Sequence, residues 1–210
     1  MPQRSILLLF AHPAHEKSRL NRSLVDEVRG LSGVTFHDLY EEYPDFFVDV
    51  AREQALLADH DLLVVQHPFL WYSVPPLIKQ WLDLVLEHGW AYGTSGDALR
   101  GKEWLSAITL GGGETAYQPD GYARHTVRQF LAPLEQSATL CGMTFLPPFL
   151  VYGSLLMDDA AMAQHAADYR RTLEALRDGT IDLERLRGAE RINGHPPGVL
   201  PDAPAAGRAS

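Results

Sequence analysis

Apolar residues along this chain follow two alternating spacings. Continuous apolar runs at 5–11 (SILLLFA) and 61–66 (DLLVVQ) suit strands buried on both faces. A third run, 102–110, leads into Gly111-Gly112-Gly113, and 33–39 reads as a weaker strand. The run 143–152 (MTFLPPFLVY) reads as a fifth strand, and its two prolines place it at a sheet edge. Between these runs the spacing changes to three and four. Leu20, Leu24, Val28 and Leu31 predict a helix over 18–30, with Ser18 as its N-cap. Ile78, Trp81, Leu82, Val85 and Leu86 predict another, opened by Pro75-Pro76. Helical spacing over 122–140 is interrupted at Pro133, where a break is expected. Met162, Ala166, Tyr169, Leu173 and Leu176 mark a last helix over 158–176. A short helix is expected over 48–58, after an aromatic and acidic connection at 40–49 (YEEYPDFFVD). No internal repeat is visible.

Strands alternating with helices predict a parallel sheet covered on both faces. Five strands in 210 residues fit a flavodoxin-like α/β fold, order 2-1-3-4-5, better than a six-stranded dinucleotide fold. One domain is expected over 1–187. A Gly-, Pro- and Ala-rich tail follows over 188–210, loose from about Asn193. In that strand order the first, third and fourth strands end side by side, which is where open α/β sheets bind ligands.

The three loops at those ends are the unusual ones. The first, 12–18, runs into a helix N-terminus, whose free amides and dipole attract a phosphate. Ser18 and Asn21 can add hydrogen bonds, and Arg19 or Arg22 a positive charge; simple capping by Ser18 is the alternative. The second, Phe69-Leu70-Trp71-Tyr72, holds three aromatics in four residues. It suits either a flat aromatic ligand or rings tucked into the core. The third, Thr109-Leu110-Gly111-Gly112-Gly113-Glu114, lets backbone approach a ligand closely, or is a flexible turn.

Composition narrows the field. A net charge of −9 argues against nucleic acid. The single cysteine, Cys141, excludes a disulfide framework and favours the cytoplasm. The first apolar run is too short for a signal peptide or a membrane span. GxxxxGK[ST], GxGxxG after the first strand and GxSxG are all lacking. His12-x-x-His15 has no companion at a known metal-ligand spacing, so no metal site is expected.

AHP followed by SxxN, then QHPFLWYSVPPLIKQWLD, HGWAYG, ALRGK, TLGGGE and CGMTFLPPF, together resemble the flavodoxin-like NAD(P)H:quinone oxidoreductases. Within that family the likeness is greatest to the ancillary subunits of glutathione-regulated potassium-efflux systems. YPDFFVD fits these too. The resemblance runs from about Ile6 to Tyr169. It implies a tightly bound flavin, FMN by the closest likeness and FAD by more distant ones. NAD(P)H would be electron donor and a quinone or similar electrophile the acceptor. It also implies a homodimer, for which Tyr40, Tyr43, Phe46 and Phe47 supply surplus aromatic surface. A membrane potassium-efflux transporter is implied as a partner, which would place a cytoplasmic protein at the inner face of the cell membrane. Carried over, the flavin contacts are His12, Ser18, Arg19, Leu20, Asn21, Phe69, Leu70, Trp71, Tyr72, Thr109, Leu110, Gly111 and Gly112. In the family a tyrosine and a histidine beyond the glycine loop assist hydride transfer. Tyr117 falls on the tyrosine, but Ala123 stands in the histidine's place and His125 lies two residues on.

Overall fold

The computed structural model describes residues 3–186 and 188–194. Five strands form a parallel sheet in the order β2-β1-β3-β4-β5, with β6 also paired to β4. The six strands of the sheet are β1 (Ile6–Phe10), β2 (Val34–Asp38), β3 (Leu62–Pro68), β4 (Glu103–Thr109), β5 (Thr144–Phe145) and β6 (Phe149–Val151). Ile6 of β1 sits opposite Val34 on one side and Leu62 on the other, so β1 lies inside the sheet. Every residue of β1 and β3 is buried, which is why β1 and the Leu62–Val65 part of β3 read as unbroken apolar runs; Gln66 and His67 are buried polar exceptions.

The expected fifth strand is divided. Thr144–Phe145 pairs with Glu103–Trp104, and Phe149–Val151 pairs with Ala107–Thr109, all parallel. Pro147 and Pro148, which have no N–H to give a ladder, occupy the gap.

Helices α1 (Arg19–Val28) and α7 (Asp159–Arg177) cover one face. The other is covered by α3 (Val50–Asp59), α4 (Pro76–Val85) and α6 (Ala132–Leu140). Trp81 and Trp104 fill the core on that side, and Phe149 and Tyr169 fill the first. Two further helices are single turns: α2 (Leu39–Glu42) within the acidic connection, and α5 (Val127–Phe130). The helix expected from 122 therefore begins later. Arg124 has φ 57°, and a Thr126–Gln129 capping box starts α5. Pro133 falls in the first turn of α6, where its missing N–H costs nothing.

One buried carboxylate ties this second layer together. Glu53 is fully buried; it accepts from Tyr43 Oη at 2.6 Å and Trp81 Nε1 at 2.8 Å, and lies 2.9 Å from His37 Nε2. Burial alone would raise its pKa, but these three partners outweigh burial and hold it below the usual range. Of the aromatics expected to be surplus, Tyr43 is buried in this network and Tyr40 and Phe46 pack against the core. Only Phe47 stands out in solvent, at 83% exposure. Asn193 is likewise not loose: it is buried against β6, while residues 195–210 of the expected tail lie outside the described residues. Among the described residues no helix is long and apolar enough to cross a membrane.

Candidate functional site

The loops after β1, β3 and β4 enclose a cleft of about 460 Å³. The first loop contributes His12, Ala14, Lys17, Ser18, Arg19, Leu20 and Asn21, the second Pro68, Phe69 and Leu70, the third Thr109 and Gly111. A fourth wall, Ser154 and Leu155, comes from the loop after β6. Ala14 and Lys17 fall within the first loop named from sequence, though not singled out as contacts; Pro68, Ser154 and Leu155 lie outside the three loops. The fourth loop is held by two backbone bonds, Gly153 N to Gly112 O and Ser154 N to Leu110 O, both 2.9 Å. A Cβ on Gly111 would lie 3.2 Å from Leu155 Cδ1, so a larger residue there would crowd that wall.

Polar groups gather at the start of α1. Ser18 Oγ accepts from the Asn21 amide at 3.3 Å and from Asn21 Nδ2 at 3.1 Å. The same Nδ2 donates to Thr109 Oγ1 at 2.9 Å, and Gln66 Nε2 reaches Asn21 Oδ1 at 3.5 Å. Asn21, Gln66 and Thr109 are all buried. One side chain each from α1, β3 and β4 thus fixes this end of the cleft. Ser18 uses its lone pairs inward, which leaves its proton for an acceptor in the cleft. The first-turn amides of α1 have no acceptor within the helix. Lys17 adds a cation beside them. Arg19 does not point its charge the same way: its guanidinium is 2.5 Å from Asp159 Oδ1 and donates to Met157 O at 3.4 Å. Arg22 Nε bonds Ser18 O at 3.3 Å. His12 Nδ1 accepts from Ala14 N at 3.1 Å; burial, then His15, lowers its pKa, so it is neutral near pH 7.

The second loop is rich in aromatics. Leu70 and Ser73 exchange both backbone hydrogen bonds, at 3.1 and 3.0 Å, closing a two-residue turn over Trp71 and Tyr72. Both have positive φ, 49° and 64°, the geometry that hairpins normally give to Asn-Gly. Bulky side chains there cost about 1–2 kcal/mol per residue, and such strain collects at ligand clamps. Trp71 is 94% exposed, and neither it nor Tyr72 lines the cleft, although both were expected there. Tyr72 stacks on Phe130 at 5.1 Å, and Phe69 meets Tyr72, Tyr117 and Phe130 edge-on at 5.8–6.3 Å.

Not every expected residue lines the cleft. Leu110 is fully buried and continues the ladder with Val151. Gly112 backs onto the Tyr117 ring, where a Cβ would lie 3.2 Å from Cε2. Tyr117 ends the 3-10 turn Glu114–Tyr117 and lines a separate hollow of about 230 Å³ with Glu114, Tyr152 and Arg191. Burial, then Tyr72, raises its pKa, so its hydroxyl keeps the proton. His125 is exposed, its ring 5.4 Å from that of Phe130 and its Nδ1 3.2 Å from Ala123 O.

A cleft with hydrogen-bond donors and a cation at the start of α1, and Phe69 and Leu70 on another wall, fits a flat heterocycle carrying a phosphate. Residues 4–173 match the family described as having a flavodoxin-like fold. The ancillary protein KefF of a glutathione-regulated potassium-efflux system from Klebsiella aerogenes is 45% identical over 168 residues, 80% of this chain and 94% of that protein. General stress protein 14 from Treponema denticola, solved in complex with FMN, is 39% identical with a TM-score of 0.77, covering 82% of this chain and 99% of that one. An NADPH-quinone reductase from P. pentosaceus is 28% identical with a TM-score of 0.74, covering 80% of this chain and 97% of that one. The sheet order, the three-loop cleft and these likenesses agree: the chain belongs to the flavodoxin-like family that also holds the potassium-efflux ancillary proteins and NAD(P)H:quinone reductases.

Proposed function

We propose that the chain is a flavin-dependent NAD(P)H:quinone oxidoreductase, with FMN as its cofactor and residues 1–187 as its flavin domain. The observation that carries this reading is the cleft itself, with the Ser18–Asn21–Thr109 cluster at one end and, on another wall, Phe69 and Leu70, which lead into the strained Trp71-Tyr72 turn. Bound there, a flavin would supply two-electron chemistry, accepting a hydride equivalent from NAD(P)H and passing it to a quinone. The protein's part is to bind and orient. Ser18, the amides of Arg19 and Leu20, and Lys17 would hold the phosphate. Thr109, Gly111 and Leu155 would flank the ring, with Phe69, Leu70, Trp71 and Tyr72 shielding it from water. Tyr117 would donate a hydrogen bond where negative charge develops, and His125 is the second candidate for that role. FAD is the alternative cofactor. A homodimer is expected, with exposed Phe47 and Trp71 among the surfaces to be covered. The test is direct: purify the protein, identify the cofactor released on denaturation, and follow NADH or NADPH oxidation with a soluble quinone. Failure to bind FMN or FAD at micromolar concentration rejects the reading.

The 45% identity to KefF favours a second role, as an ancillary subunit at the cytoplasmic face of a membrane potassium-efflux transporter. The two roles are compatible. Co-purification with such a transporter, retained in a variant that has lost turnover, separates binding from catalysis.

A further inference from the structure

Residues 188–194 lie beyond the stretch, 4–173, that matches the family, yet they are seated at three points. Ile192 donates its amide to Pro148 O at 2.9 Å and buries its side chain completely. Asn193 does with its side chain what a neighbouring strand does with its backbone. Its Oδ1 accepts from Leu150 N at 3.0 Å and its Nδ2 donates to Leu150 O at 2.9 Å. Next to them Arg191 reaches the hollow lined by Tyr117: its Nη1 is 3.0 Å from Glu114 Oε2, and its guanidinium lies 5.8 Å from the Tyr152 ring centre. Glu114 opens the turn that Tyr117 closes, and the Tyr117 and Tyr152 rings are 5.9 Å apart.

Apart from the Tyr117 ring, which packs on Phe69 and Tyr152, and the backbone bond from Ala123 N to Ala116 O, the turn is thinly held. None of its four residues is buried, its cap Gly113 provides no side-chain bond, and three glycines precede it. Segments of this kind open locally at little free-energy cost, whereas a side chain that acts on a bound ligand must be held closely. We propose that residues 188–194 form a clasp that fixes the Tyr117 turn against β6, with Arg191 as a positioning residue. The kinetic half of this proposal rests on the flavin reading above; the structural half stands without it.

Hydrogen exchange on the full chain tests the structural half. In Arg191→Ala, the amides of Ala116, bonded to Gly113 O, and Ala123, bonded to Ala116 O, exchange about three- to fivefold faster, the range of a partly exposed ion pair. In Asn193→Ala, which strands both backbone groups of Leu150, the same amides exchange about tenfold faster or more. Those of α1 stay as in the parent. Adding Glu114→Gln to Arg191→Ala brings no further change, because the pair is already broken. Stopped-flow reduction tests the kinetic half. Flavin reduction slows by similar factors while FMN affinity stays within twofold, and Arg191→Lys recovers most of the rate. A purely stabilising clasp would lower the melting temperature and leave the reduction rate alone. Unchanged exchange at Ala116 in a folded Arg191→Ala variant overturns the proposal, as does a slower reduction matched by loss of FMN. If Asn193→Ala does not fold, Arg191→Ala decides alone; if no flavin binds, the exchange result does.

Discussion

The ring of Tyr72 lies on that of Phe130, centroids 5.1 Å apart and planes 24° from parallel, so the turn after β3 is braced by the single helical turn α5. Without such a brace, two bulky residues at positive φ would relax. The arrangement sets stability against binding. Replacing Trp71-Tyr72 by Asn-Gly should release about 1–2 kcal/mol of strain per residue and forfeit about 1 kcal/mol of ring stacking. The apoprotein should therefore become more stable in urea while losing flavin affinity tenfold or more. A variant that binds FMN like the parent would show the turn to be no part of the site.

Ser18 and Asn21 separate folding from cofactor binding. Losing the Ser18 cap should cost about 1 kcal/mol of stability. Losing its hydrogen bond to a phosphate should cost roughly 1.5–3 kcal/mol of affinity. Ser18→Ala should thus release FMN on dialysis while still melting cooperatively. Asn21→Ala should do both kinds of damage, since it also strips Thr109 Oγ1 of its donor. Retention of FMN by the double variant would move the phosphate elsewhere.

Tyr117→Phe keeps the ring against Gly112 and removes only the donor. If the hydroxyl stabilises charge during reduction, the rate should fall by about 10²-fold with FMN affinity unchanged, as when one preorganised donor is lost. His125→Ala is the companion: a larger effect there would transfer the role to the histidine. Rates within threefold of the parent for both would deny either a chemical part.

His67 gives the fold a pH dependence. Its ring is wholly buried within β3; Nδ1 lies 2.9 Å from Pro68 O, and Nε2 has no partner among the described residues. Burial lowers its pKa to about 4, well below the ordinary imidazole value of 6.5. Between those pH values the unfolded chain binds the proton and the folded one does not, so stability is full above pH 6.5 and declines toward pH 4. The loss should be of the order of 3 kcal/mol. His12 and His165 shift in the same direction, whereas the depressed Glu53 acts lower, below its ordinary value of 4.5. Urea melts across this range should be flatter for His67→Leu; an identical slope would assign the effect to other groups.

The sheet was legible because β1 and β3 are buried on both faces, so that β1 and Leu62–Val65 of β3 read as uninterrupted apolar runs. The strand order then named the converging loops, and Ser18, Asn21, Phe69, Leu70, Thr109 and Gly111 do meet. Ser154 and Leu155 escaped because nothing in Gly-Ser-Leu-Leu marks a wall until the order places β6 beside β4. Tyr122 was drawn into a helix because the spacing of Val127, Leu131 and Leu134 was extended back past its own start signal, the Thr126–Gln129 capping box, which stands in the sequence. Asn193 was read as tail because a side chain that imitates a strand leaves no periodicity.

The paired prolines between β5 and β6 also govern how copies of this chain meet. A sheet edge with two successive residues lacking N–H offers no continuous template for an incoming strand. The neighbouring Leu150 has both of its backbone groups occupied by Asn193. Growth of the sheet from one molecule into the next is thus blocked on this border. Assembly through it has to proceed by side-chain surfaces, which is a safeguard against fibrous association in a protein whose central strands are buried and mostly aliphatic.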